Sequence, residues 1–107
     1  MAITNSYINA TLTTLYTSIS ETAVTSIIFC NYASSDLTDA DTYLDLHIVK
    51  NGDVASNENK ILHQLKLPAG ETFIMDSERL VLANGDNIQA QTTSPATVSV
   101  TISTVAV

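Results

Sequence analysis

The sequence predicts an all-β fold, and two observations support this. Apolar residues recur at every second position, most regularly in ATVSVTIS, where Val98, Val100 and Ile102 alternate with hydroxyl side chains. This period of two is typical of a strand with one face in the core. The apolar runs are also short, and turn signals separate them about every 8–12 residues. A chain of 107 residues fits one domain over residues 1–107.

The strands can be assigned from this alternation. TYLDLHIVKNG, NIQAQTT and ATVSVTIS alternate most regularly. Further strands are predicted in LTTLYTSI, TSIIFCNYA, KILHQLKL and ETFIMD, with a shorter one in SERLVLANGD. After Ile102 the apolar parity switches at Val105 and Val107. We therefore expect either a β-bulge near Ser103–Thr104 or a tail that pairs elsewhere.

The segment Leu67–Gln91 contains two tight turns. Pro68 ends a strand because it has no N–H to donate, and Gly70 can adopt the positive φ that a type II turn needs. Asn84-Gly85-Asp86 repeats the turn signal. Together with a bend at residues 76–78, these turns predict a corner at which the chain crosses between two sheets.

We therefore expect a single antiparallel β-sandwich of about seven or eight strands, either immunoglobulin-like or jelly-roll-like. The polar segments 33–42 and 52–59 are predicted to be exposed loops at the ends of the sandwich.

The charge balance restricts the partners. The formal net charge is −7, from 4 basic and 11 acidic residues. So few cations do not make the basic face that nucleic acid or an anionic membrane surface requires. The negative charge either serves solubility or fits a basic partner surface, such as a capsid or tail shell. The N-terminus lacks the features of a signal peptide, and the longest apolar run, Ile27–Cys30, is too short to span a membrane.

Candidate reactive or metal-binding residues are few. Cys30 is the only cysteine and is expected to act as a small buried hydrophobe; a nucleophilic role would need a base that the sequence does not reveal. Asp36, Asp39, Asp41 and Asp45 lie close together, and their oxygens would suit Ca²⁺. Because the EF-hand spacing is absent, we expect solvated loop carboxylates.

His47 and His63 fall on separate predicted strands without further ligands at zinc spacing. We expect both at the surface or in an interface. Tyr43 lies on the polar parity of its strand and is expected on the outer face of a sheet or in a protein interface. Nucleophile and phosphate-binding motifs are absent, so the sequence predicts no catalytic, cofactor-binding or metal-binding residue.

Residues 1–24 have Glu21 as their only charged side chain. An uncharged, β-prone segment makes a poor isolated edge strand. It exposes unpaired backbone groups and has no charged side chains to prevent pairing with another chain. The segment is predicted to form either an edge strand of this domain or an arm that pairs with another subunit.

Four segments carry a resemblance to a known class of protein. They are MAITNSYINATLTTLYTS, IIFCNYA, LHIVKNG and LPAGETFIMDSERLVLANGDNIQAQ. Together they resemble small virion structural proteins of tailed bacteriophages, especially phages of marine cyanobacteria. The shared motifs are mostly turn sequences and include no catalytic residues.

The resemblance implies a non-enzymatic, all-β particle component, assembled in the host cytoplasm and present in many copies. It implies homo-oligomers and contacts with major capsid or tail proteins. We expect a capsid decoration or cement protein. The alternatives are a tail, neck or fibre module that contacts phage proteins or a host receptor and, from a different class, a small hydrolase using Asp39, Asp41, His47 or Cys30.

Overall fold

The computed structural model describes residues 2–33, 41–76, 80–93 and 97–106. These ranges form β-strands and contain no helix, and therefore none that could cross a membrane. The nine strands in these ranges are β1 Ala2–Ile8, β2 Thr13–Thr17, β3 Thr22–Asn31, β4 Thr42–Val49, β5 Lys60–Leu67, β6 Thr72–Met75, β7 Leu80–Leu82, β8 Asn87–Thr92 and β9 Val98–Ala106. The all-β prediction is confirmed.

The strands form two antiparallel sheets. Sheet A has the order β1-β9-β3-β6, and β7 also pairs with β3; sheet B has the order β2-β8-β4-β5. β6 pairs with residues 27–30 of β3 and β7 with residues 22–24, so the two short strands act as one interrupted strand. The structure thus has eight strand positions, at the upper end of the predicted number. The predicted bend at residues 76–78 lies mostly outside the described ranges.

The strand pairing defines a jelly roll. β1 pairs with β9, β2 with β8, β3 with β6 and β7, and β4 with β5. The chain therefore resembles one long hairpin that has been rolled up, so that β9 also pairs with β3 and β8 with β4. The sequence left the immunoglobulin-like and jelly-roll-like alternatives open, and the pairing of the first strand with the last decides for the jelly roll.

The core lies between the two sheets. Val98, Val100 and Ile102 of β9 are buried, as their alternation predicted. The ring of Phe29, which is also fully buried, stacks on Phe73 with centroids 6.2 Å apart. The buried core side chains belong to Ile8, Leu15, Val24, Ile27, Phe29, Leu44, Leu46, Leu67, Leu82, Ile88, Ala90, Val98, Val100 and Ile102.

The apolar parity switch after Ile102 is not accompanied by a change of face in β9. β9 pairs with β1 in unbroken register, and Thr104 keeps the inward position. The register shift lies between β9 and β3, where Thr25 is the extra residue. Its hydroxyl donates to the Ser103 carbonyl over 3.2 Å. A bulge was expected near residues 103–104, and it is the opposite strand that carries it.

Both predicted type II turns are present. Gly70 has φ 80° and the Glu71 N–H donates to the Pro68 carbonyl. Gly85 has φ 90°. A Cβ on Gly85 would lie 2.4 Å from Cγ of Asn51, so the turn before β8 is packed against the loop that joins β4 and β5.

Asp86 fastens these same two loops together. Its Oδ1 accepts from the Asn51 N–H and its Oδ2 from the Ala83 N–H, each at 2.9 Å. The pKa of the Asp86 carboxyl is lowered from 3.8, mainly by the hydrogen bond from the Asn51 N–H and next by that from the Ala83 N–H. The Lys50 charge adds to this effect, and burial opposes it. Hydrogen bonds to the ionised form favour ionisation.

We expect Asp86 to stabilise the fold at neutral pH and to lose this effect in acid. Since its pKa is lower in the folded than in the unfolded chain, the contribution is complete above the unfolded value of 3.8 and disappears as the pH falls through the folded value. Urea denaturation should show a larger stability deficit for Asp86→Asn at pH 7 than at pH 2. Asp53→Asn is the control, because no described residue donates to its carboxylate. An Asp86→Asn deficit that does not change with pH would contradict this role.

Candidate interaction surface

The residues considered for catalysis lie apart. Cys30 is half-buried on the outer side of sheet A, whereas His47 is on β4 in sheet B. Asp41 lies before β4, at the opposite end of that strand from the loop His47 contacts, and Asp39 lies outside the described residues. Among Cys30, Asp41 and His47, the members of this set that the structure describes, no nucleophile and base come together.

The prediction that His47 lies at the surface was wrong, because the side chain is only 7% exposed. The register of β4 against β5 shifts between Leu46 and His47, with Ile61 as the extra residue on β5. β4 pairs with β8 in unbroken register, so His47 keeps the outward parity of Tyr43 and Asp45. It is buried because the loop between β4 and β5 lies against it, with Asn59 in contact with its ring. His63 is exposed, as expected.

His47 supports the loop that joins β4 and β5. Its Nδ1 lies 2.8 Å from Oδ1 of Asn59. The same Oδ1 accepts from the Ser56 N–H, and Asn59 Nδ2 donates to the Val54 carbonyl, which fixes the orientation of the amide. Nδ1 of His47 must therefore carry the hydrogen. This arrangement gives His47 a structural role.

The described members of the acidic cluster also support the backbone. Asp41 accepts from the Ala69 N–H at 3.3 Å and lies 3.6 Å from Lys66 Nζ. Asp45 accepts from the Gln64 N–H at 2.7 Å. Asp36 and Asp39 lie outside the described ranges. Within those ranges, no three His, Cys, Asp or Glu side chains come close enough to hold a metal ion.

Asp45 also stabilises an irregular part of β5. Gln64 has φ +50°, which is unusual for a residue with a side chain, and it lies in a bulge where two residues of β5 face one of β4. Nζ of Lys60 is 3.2 Å from Nδ1 of His63, while Asp45 Oδ1 is 3.6 Å from the same atom. Only the shorter distance is that of a hydrogen bond, in which the Lys60 ammonium donates.

A groove of about 580 Å³ lies beside the loop between β4 and β5. Its walls carry the apolar side chains of Val54 and Ile61 together with Lys50, Asp53 and Glu58. Charges of both signs therefore line the groove.

Charge is distributed unequally between the two sheets. The described strands of sheet A contain no Asp, Glu, Lys, Arg or His. Among the described strands, those of sheet B carry all such residues, namely Asp45, His47, Lys60, His63 and Lys66. In a chain of net charge −7, the described strands of one sheet therefore carry no side chain of the usual acidic or basic types.

The outer side of sheet A, which we call the uncharged face, combines hydroxyl groups with exposed apolar side chains. Ser99 and Thr101 of β9 lie along its middle. Its large exposed apolar residues are Ile3, Tyr7, Tyr32, Ile74 and Val81. The rings of Tyr7 and Tyr32 meet edge to face, with centroids 6.0 Å apart. Exposed tyrosines and aliphatic side chains without charge are typical of the centre of a protein interface.

Acidic residues border the uncharged face. Glu21 precedes β3, and Glu71 and Asp76 flank β6; all three are exposed. Interfaces commonly have an apolar centre and a polar rim. The complementary partner would carry an apolar patch with basic residues around it.

Comparison with protein-family models, with curated proteins and with solved structures gives no match to this chain.

Proposed function

We propose that this chain is a non-enzymatic structural protein of a tailed-bacteriophage particle, in the first place a capsid decoration or cement protein. In this role it binds the particle shell through the uncharged face. The proposal combines the sequence resemblance with the surface described above.

The observation that carries the proposal is the absence of charge from every described strand of sheet A. Covering such a face removes apolar area from water, which contributes about 25 cal/mol per Å². It also avoids the cost of stripping water from charged groups. The acidic residues at the border would orient the protein on a basic shell surface.

The jelly roll agrees with the proposal, since viral capsid proteins use this fold. Lectin domains use it too, and a fold alone does not establish a function. The second candidate, a tail, neck or fibre module, would use the same uncharged face at another place on the particle. The two candidates therefore differ in location.

Antibody labelling of purified particles from the producing strain tests the proposal by electron microscopy. Labels distributed over the head are expected. Labels at a single vertex, along the tail or on fibres would favour the second candidate. Particles that carry no copy of the chain, although the protein is expressed, would overturn both.

A pair of tyrosine variants tests the role of the uncharged face. Tyr32 and Tyr43 are 55% and 41% exposed and lie on opposite sheets. Tyr32→Asp should lower the number of copies per particle about tenfold or more, as expected for a charge in the centre of an interface. Tyr43→Asp should be incorporated normally, and copy numbers can be measured by quantitative mass spectrometry. Equal incorporation of both variants would show that the uncharged face is not the contact surface.

A further inference from the structure

The edges of the two sheets are protected to very different degrees. An edge strand exposes unpaired N–H and C=O groups, and proteins protect edges with charges, bulges or short strands. β5 carries Lys60 and Lys66 and has two register shifts. β6 and β7 are only 4 and 3 residues long. β2 has 5 residues and is interrupted by a register shift between Thr14 and Tyr16.

β1 has none of these protections. Its 7 residues pair in unbroken register with β9, from Ala2 opposite Thr104 to Ile8 opposite Val98. It contains no charged residue, no proline and no bulge. β1 is the terminal strand of sheet A, so its other edge has no partner strand among the described residues.

We propose that β1 pairs antiparallel with β1 of a second copy of this chain, across a two-fold axis. The two copies of sheet A then form one continuous sheet. In the register centred on Asn5, Ile3 of one copy lies opposite Tyr7 of the other, and Thr4 lies opposite Ser6. An antiparallel strand pair of this kind is self-complementary, as a two-fold interface requires.

The side chains of β1 suit this arrangement. Ile3, Asn5 and Tyr7 are exposed on the uncharged face. Across the axis, an aliphatic side chain would meet an aromatic ring, a favourable cross-strand pair. Oδ1 of Asn5 accepts from the Thr101 hydroxyl at 2.9 Å, whereas its Nδ2 has no acceptor among the described residues. This amide would be placed to donate to its counterpart at the axis.

The charge distribution allows a second copy to approach at the β1 edge. Two chains of net charge −7 repel each other, so a stable contact needs an approach without opposed carboxylates. β1 and its neighbour β9 carry no charge at all. The exposed acids bordering sheet A lie at the ends of β3 and β6, on the other side of β9. The dimer goes beyond the proposed function and does not depend on it.

Sedimentation equilibrium of the purified full chain tests the proposal. The wild type should have twice the mass of the 11.4 kDa chain. Because the contact contains no ion pairs, raising NaCl should not weaken it. Ile3→Asp should weaken dimerisation by about tenfold or more. Val81→Asp is the matched control: Val81 is 63% and Ile3 65% exposed, at opposite edges of the same sheet. It should remain dimeric.

A monomeric wild type at millimolar concentration would overturn the proposal. So would a dimer that Ile3→Asp leaves intact, or one that only Val81→Asp disrupts. Thermal unfolding by circular dichroism establishes that both variants are folded, as expected for substitutions at exposed sites.

A cross-linking experiment tests the register of the β1–β1 pair without introducing a charge into β1. Directly opposite residues of antiparallel strands have Cβ atoms about 4.5–5.5 Å apart, close to the separation that a disulfide bridges. In a Cys30→Ser background, Asn5→Cys should form a covalent dimer on oxidation, whereas Val81→Cys should not. Absence of the cross-link in Asn5→Cys, or equal cross-linking of both variants, would contradict the proposed pairing.

Discussion

Replacing Val100 by Asp is expected to unfold the protein at neutral pH. Val100 is 1% exposed in β9, between Ser6 of β1 and Phe29 of β3, and its side chain points into the core. An unpaired carboxylate there costs several kcal/mol. A domain of this size is stable by about 5–15 kcal/mol, so this one change removes a large part of the total. Circular dichroism should show loss of the strand signal and of the cooperative thermal transition.

Ser99→Asp is the control for this experiment. Ser99 is the adjacent residue on the same strand, and it is only half-buried on the uncharged face. The new carboxylate can remain hydrated there, so we expect a change in the free energy of unfolding of about 1 kcal/mol or less. If Val100→Asp melts at the same temperature as the wild type, the assignment of inward and outward faces along β9 is wrong.

The faces of the strands were predictable because alternation depends only on the local chain. Val98, Val100 and Ile102 were assigned to the core from their spacing, and all three are buried. Gly70 was assigned to a type II turn from the proline two positions before it, and its φ of 80° confirms the turn. These features are decided by neighbours a few residues away in the sequence.

The arrangement of the strands was not predictable in the same way. Alternation shows which face of a strand is buried and does not show which strand lies beside it, so the immunoglobulin-like and jelly-roll-like alternatives stayed open. His47 has the outward parity of Tyr43 but is buried, because the loop between β4 and β5 lies against it through Asn59. No pattern within β4 contains that information.

The uncharged face was only partly visible in the sequence. The uncharged start of the chain was noted, and residues 87–107 also contain no charged side chain. β1 and β9 come from these two distant segments and pair in sheet A. The lack of charge was therefore visible at both ends of the sequence. That the two ends form one surface could be seen only from the pairing of β1 with β9.

Replacing Asn31 by Ala is expected to destabilise the fold by about 3 kcal/mol. The side chain is fully buried at the end of β3. Its Nδ2 donates to the Leu67 carbonyl at 2.9 Å, and its Oδ1 accepts from the Thr97 hydroxyl at 2.8 Å and from the Ala33 N–H at 3.1 Å. Alanine would leave these groups without that partner in a place that excludes water. Urea denaturation measures the loss.

Thr25→Ala is the control, because Thr25 is exposed and its described side-chain contact is one hydrogen bond to the Ser103 carbonyl. The loss of this hydrogen bond should cost less than about 1 kcal/mol.

Asn31→Asp tests the donor separately from the acceptor of the Asn31 amide. Aspartate keeps an oxygen for Thr97 and Ala33 but places a carboxylate oxygen opposite the Leu67 carbonyl. We expect it to be at least as destabilising as alanine. Since Leu67 ends β5 in sheet B and Asn31 ends β3 in sheet A, a tolerated Asn31→Ala would mean that apolar packing alone holds the two sheets together at this end.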